Sequence, residues 1–180
     1  MNEIVDPIPE VDSLLERYAE ALGGDQLPYR NHVHRLLHFC FAFHPPVGDE
    51  RERFIVAAVF HDLGLWTDGT VDYLPPSEAR AEAYLLESDR ASWVPEIRTM
   101  IREHHKVRTW RQPGSPLVEP FRRADWCDVT FGRRRFGLQR AEVQRVLAHF
   151  PNAGFHARLG QLGRAWFLKH PLNPAPMMRW

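Results

Sequence analysis

The chain has 180 residues, 44% hydrophobic and 26% charged, which fits one globular domain with a single sizeable core. Lys and Arg number 23 and Asp and Glu 23, so nothing draws the whole chain to nucleic acid or an anionic membrane, although local basic patches remain open. Two cysteines, Cys40 and Cys127, are too few for a disulfide framework, and both sit in apolar helical patterns. A reduced, cytoplasmic setting is therefore the expectation.

Residues 1–6 are acidic and lack the basic and apolar regions of a signal peptide. A first helix is expected over 10–22, with Leu14, Leu15, Tyr18 and Leu22 on one face and Gly23-Gly24 ending it. A second covers 28–43 and stops before Pro45-Pro46. A third spans 50–62 and closes at Gly64; its apolar run, residues 54–60, is the longest of the chain and far too short for a membrane span. Residues 64–76 read as a loop with an Asp68-Gly69 turn. Ser77 is expected to cap a fourth helix through 87, and Ser92 a fifth through His105 or Lys106. After a loop at 109–116, helices are expected over 117–130, 138–150 and 155–169, followed by a proline-rich, extended tail. No segment alternates with period two, so the fold class is all-α: a compact bundle of seven to eight helices in one domain over 1–180.

The third helix is apolar on every side and then delivers His61 and Asp62 into the interior. A buried carboxylate is costly unless it is paired or bound to a cation. Three further helices do something similar. His32 shares a stripe with Leu36, Phe39 and Phe43. His104 follows Val94, Ile97 and Ile101, with His105 at its flank. Asp125 follows Val118 and Phe121, and Asp128 lies a turn further on. Neutral imidazoles and ionised carboxylates around one divalent cation satisfy each other. Two His and two Asp without a thiolate suit Mn, Fe, Co, Ni, Zn or Mg.

This pattern resembles the HD-domain superfamily, whose signature is a histidine, a His-Asp pair and a distant aspartate. The matching residues are His32 in Tyr29-Arg30-Asn31-His32-Val33-His34-Arg35-Leu36, then Phe60-His61-Asp62-Leu63-Gly64, and Asp125 in Arg123-Ala124-Asp125. The resemblance covers about residues 28–130, leaving the helices of 138–169 outside it. It implies a metal-dependent phosphomonoesterase or phosphodiesterase, often acting on nucleotides, with His32, His61, Asp62 and Asp125 as metal ligands. Some branches place a Lys or Glu just after the His-Asp pair; here Leu65 and Trp66 stand there, and Asp68 is the nearest substitute as general base. A single ion is the expectation, with Glu78 or the His104-His105 pair able to complete a second site.

His104 is expected to contact the substrate phosphate or protonate the leaving oxygen. His105, Lys106 and Arg108 are expected to bind the phosphate of a small substrate. Trp66, Tyr73 and Trp110 are loop aromatics that either stack on a base or cover the core. His34 and His38, one turn apart, read as neighbours of the site rather than ligands, and Arg133-Arg134-Arg135 as a solvated turn, with reach to an anionic substrate as the alternative. The apolar C-terminal helix, with Trp166, Phe167 and Leu168, offers a homodimer surface. Two competing readings are a di-iron oxygenase on the same scaffold and a non-catalytic domain that binds metal and nucleotide.

Overall fold

A computed structural model describes residues 7–178; residues 1–6, read above as lacking a signal peptide, lie outside the described residues. Ten α-helical segments follow in order: α1 (Pro9–Glu16), α2 (Ala19–Leu22), α3 (Gln26–Phe43), α4 (Glu50–Phe60), α5 (Gly64–Thr67), α6 (Leu74–Glu87), α7 (Val94–Glu103), α8 (Val118–Val129), α9 (Arg140–His149) and α10 (Phe155–Lys169). Single 3₁₀ turns at Gly23–Asp25 and Ala91–Trp93 interrupt them. Among the described residues there is no strand, so the all-α class holds. None of these helices is long and apolar enough to cross a membrane.

The helices share one continuous core. α4 is buried along residues 54–60, as a helix without a polar face must be. α3 is the second interior helix and packs most extensively against α8. Its apolar stripe continues into polar residues that are buried as well: Asn31, His32, His34 and Arg35. Burial of so many polar groups demands partners, and those partners build the site. Cys40 and Cys127 are buried and unbridged.

Several boundaries differ from the sequence reading, each for a local reason. The first helix breaks at Arg17-Tyr18 into α1 and α2. The third ends at Phe60, and the chain turns through His61, Asp62 and Leu63 into α5, inside the expected loop. Ser77 caps nothing: α6 already starts at Leu74, because Pro75 and Pro76 fit a first helical turn that needs no N–H. Ser77 Oγ instead accepts the Gly64 N–H at 3.0 Å. Ser92 likewise makes no cap; it lies in the 3₁₀ turn before α7, whose first turn carries Pro95. The tail after His170 is turned rather than extended, with Asn173 N–H bonded to His170 O and the Trp166 indole N–H bonded to Asn173 O.

Candidate metal centre

Three helices and one inter-helix turn converge on a single point. His32 from α3, His61 and Asp62 from the turn after α4, His104 and His105 from the end of α7, and Asp125 from α8 meet there. All are buried except His105, whose side chain is 16% exposed. His32 Nε2 lies 3.0 Å from His61 Nε2, 3.8 Å from Asp62 Oδ2 and 3.9 Å from Asp125 Oδ1. His61 Nε2 lies 3.4 Å from Asp62 Oδ2 and 4.0 Å from Asp125 Oδ1. His104 Nε2 is 3.4 Å from Asp62 Oδ1, and His105 Nδ1 is 3.6 Å from Asp125 Oδ2.

The tautomers follow from the outer partners. His61 Nδ1 faces Ala58 O at 2.7 Å and His104 Nδ1 faces Ile101 O at 2.6 Å; a carbonyl only accepts, so both Nδ1 atoms carry the proton. His32 Nδ1 is 2.6 Å from Asp128 Oδ2, an ionised carboxylate, so it too donates. Three Nε2 lone pairs therefore point into the space that Asp62 and Asp125 also face. Asp62 Oδ1, His104 Nε2 and both Asp125 oxygens are buried there without a hydrogen-bond partner. Acceptors facing acceptors require something positive between them.

The charges say the same. Asp128 is matched by Arg35, whose Nε and Nη2 donate to its two oxygens at 2.5 and 2.8 Å. Asp62 and Asp125 are left as two buried negative charges. Without an ion, protons must compensate. Burial would push His61 down, yet the Asp62 and Asp125 carboxylates lift it to about 8. Burial, with Asp62 and Asp128 nearby, raises Asp125 to about 7 despite His104 and His61. Burial lowers His32 to about 4, so it stays neutral even beside Asp128. Burial also works against Asp128, but the His32 hydrogen bond and the Arg35 charge bring it down to about 2.

The donor set fits a divalent cation. The 3.0 Å between the His32 and His61 Nε2 atoms is what two imidazoles in neighbouring positions round one ion require, at about 2.1 Å from it each. Among the described residues, two groups have ligand atoms close enough for an ion: His32, His61 and Asp62, and Asp62, His104 and His105. Asp62 belongs to both.

Of the other expected site residues, Asp68 is not brought in. The α5 turn carries it to the surface, where it accepts from Arg80 at 2.9 Å and Thr67 at 2.7 Å. Glu78 is also turned away, gripped by Arg98 and Arg102. Lys106 lies 3.5 Å from Glu103, and its carbonyl accepts from Arg122 and Trp126. Arg108 is exposed in the following loop. Trp66 packs on Tyr29 and donates its indole N–H to Asp25, so it covers the core. His34 and His38 stack on Phe150, outside the converging group.

Two contributions escaped the sequence reading. Tyr73, taken for a loop aromatic, is buried with its hydroxyl within hydrogen-bond distance of His105 Nε2. Residues beyond 130 also support the site. Phe155 stacks on His32 with ring centroids 4.2 Å apart, and the carbonyls of Phe150 and Pro151 accept from Arg35. The only available sequence signal was that Phe155 opens an otherwise polar turn.

No family model matches the chain, and no curated protein or solved structure matches it either.

Proposed function

We propose that this chain is a metal-dependent phosphohydrolase acting on a small phosphate ester such as a nucleotide. The observation that carries the metal is the convergence of three Nε2 lone pairs on two uncompensated carboxylates. The reaction class rests on the resemblance of the His32, His61-Asp62 and Asp125 pattern to HD-domain enzymes. His32, His61, Asp62 and Asp125 would hold the ion. When bound, it would supply Lewis acidity, withdrawing charge from a phosphoryl oxygen and acidifying water.

The chain's own residues do the rest. Asp128, through His32 Nδ1, and the carbonyls of Ala58 and Ile101 keep the three imidazoles turned inward. Phe121, Phe155 and Tyr29 wall off the cluster from water. His105, the least buried member, stands where substrate can enter. Its hydrogen bond with Tyr73 lets the pair hold a proton for the leaving oxygen, in place of the displaced Asp68.

The test is turnover of generic phosphate esters and a nucleotide panel by protein loaded with each of Mn, Fe, Co, Ni, Zn and Mg. Activity should vanish with chelator and fall at least about a hundredfold in His61→Ala and Asp62→Ala. Full metal occupancy without turnover on any ester would overturn the reading. The shared position of Asp62 in two ion-capable groups favours a second reading, a di-iron oxygenase. Two irons per chain in an anaerobic titration, with oxygen consumption on re-aeration, would select it.

A further inference from the structure

The formally neutral chain is not evenly neutral. Residues 1–130 contain fourteen basic and twenty-two acidic side chains; residues 131–180 contain nine basic and one acidic. The ion pairs follow this division. Upstream, eleven of the thirteen arginines meet a carboxylate among the described residues, all but Arg108 and Arg111; downstream, Arg158 does so with Asp25. Among the described residues, Arg133, Arg134, Arg135, Arg140 and Arg145 have no carboxylate within ion-pair distance. Five unmatched guanidiniums thus fall within thirteen residues of the α8–α9 connection and the start of α9, with Glu142 the one carboxylate in that stretch.

That connection is closed by backbone hydrogen bonds. The Gly132 N–H bonds back to Cys127 O and the Phe131 N–H to Asp128 O, closing α8 with Phe131 rather than glycine in the left-handed position. Phe136 and Gly137 repeat the left-handed turn at the other end, at φ +47° and +102°. The two corners set Phe131 and Phe136 at the surface, 48% and 38% exposed, on either side of the arginines. Each ring has neighbours: Phe131 meets His156 at 3.9 Å, and Phe136 meets the Arg122 and Arg123 guanidiniums at 5.6 and 5.9 Å. The Arg134 guanidinium stands over Trp126, 4.5 Å from the ring centroid. A guanidinium stacked in this way keeps its edge N–H groups for phosphate.

From these features we infer that the 131–145 surface binds single-stranded nucleic acid, separately from the metal centre. Unmatched arginines supply the backbone contacts, and the two half-exposed rings supply stacking faces for bases. An anionic membrane is the less favoured partner, because rings backed by neighbouring side chains form flat faces rather than wedges that enter acyl chains. Phe136 packs edge-on against Phe43, eleven residues along α3 from His32. At helical rise this places the Phe136 end of the surface about 16 Å from the metal centre, while its Phe131 end reaches back toward it through Asp128, so binding is measured on its own, apart from hydrolysis.

The experiment is fluorescence anisotropy of a labelled mixed-sequence RNA of about a dozen nucleotides, against protein as purified and at rising salt. Wild type should bind, with affinity falling steeply as salt rises. Arg133→Glu/Arg135→Glu should weaken binding more than roughly tenfold and flatten the salt dependence by about one to two in log–log slope. This pair leaves the Arg134–Trp126 stack in place, and thermal melting checks the fold. Arg17→Glu/Arg51→Glu, the same charge change on the acidic side, should alter binding less than about twofold at moderate salt. The inference fails if wild type does not bind RNA, or if both double variants lose affinity equally. It also fails if phosphatidylserine vesicles, and not RNA, capture the protein.

Discussion

His32 is presented by a proton it gives away. Its Nδ1–H is taken by Asp128, whose other contacts come from Arg35, and that bond leaves Nε2 as the lone pair facing His61. In Asp128→Asn the amide oxygen still accepts the His32 proton, but the negative charge that raises the basicity of the ring is gone. Metal affinity should fall about 10- to 100-fold, read by competition with a chelating dye. The same change leaves the Arg35 guanidinium buried without its counter-charge, so the melting temperature should fall too, by the equivalent of about 3 kcal/mol. Unchanged metal affinity in a folded Asp128→Asn protein would reduce Asp128 to a stabilising role alone. At this scale the sequence was informative about which residues face inward, since His32, His104 and Asp125 sit at helical spacing from apolar neighbours. It was silent about their partners. Asp128 and His32 are 96 residues apart, and no local pattern records which carboxylate an imidazole meets after folding.

At the scale of elements, the segment after the His61-Asp62 pair depends on one close approach. Gly64 is not a chain terminator: a Cβ there would stand 2.6 Å from Tyr73 O and 3.0 Å from Ser77 Oγ, so α5 and the start of α6 meet backbone to backbone. Gly64→Ala should cost about 1–3 kcal/mol in chemical denaturation, because one of the two helices must move. Movement of α6 carries Tyr73 with it, so the variant should also lose the proposed phosphohydrolase activity beyond what its stability explains. A variant as stable and active as wild type would show that the approach can relax freely.

A second tie joins the loop after α7 to α8. Glu119 accepts from Arg122 at 2.7–2.8 Å, from Arg123 at 2.7 Å and from the Trp110 N–H at 2.7 Å. Burial would raise its carboxyl, but Arg122, the Trp110 N–H and Arg123 hold it below the ordinary 4.5. A carboxylate depressed in the folded state adds stability that is complete above its unfolded pKa and lost as pH falls through the folded one. Glu119→Gln should therefore destabilise by about 1–3 kcal/mol near neutrality, with the gap to wild type closing below about pH 4. A gap that persists into acid would mean that shape, not charge, makes the tie. The existence of the longer helices was legible from apolar periodicity; that of the single-turn α5 was not. Helix starts at Leu74 and Val94 were not, because prolines serve equally in a loop and in a first helical turn, and only packing decides between them.

Over the whole molecule, the interior carries a charge problem that the chain does not solve by itself. Arg35 answers Asp128, and nothing answers Asp62 and Asp125 except protons on His61 and on Asp125 itself. Because α3, α7, α8 and the turn after α4 all end their inward polar residues at this point, their mutual packing and the occupancy of the centre are one equilibrium. A cation that binds the folded protein and not the unfolded chain stabilises it by about 2.7 kcal/mol at a hundredfold excess over Kd. For a chain of this size that is a rise of about 5–10 °C in melting temperature. Melting should therefore occur lowest in excess chelator and rise with a titrated divalent ion until the centre is full. Asp125→Asn removes one of the two unmatched charges, so its chelated form should melt no lower than chelated wild type, while its gain from the ion shrinks. Both halves of that result are needed. A wild-type melting temperature indifferent to chelator and to every ion tried would mean that protons alone settle the interior, and the metal centre would be lost with it.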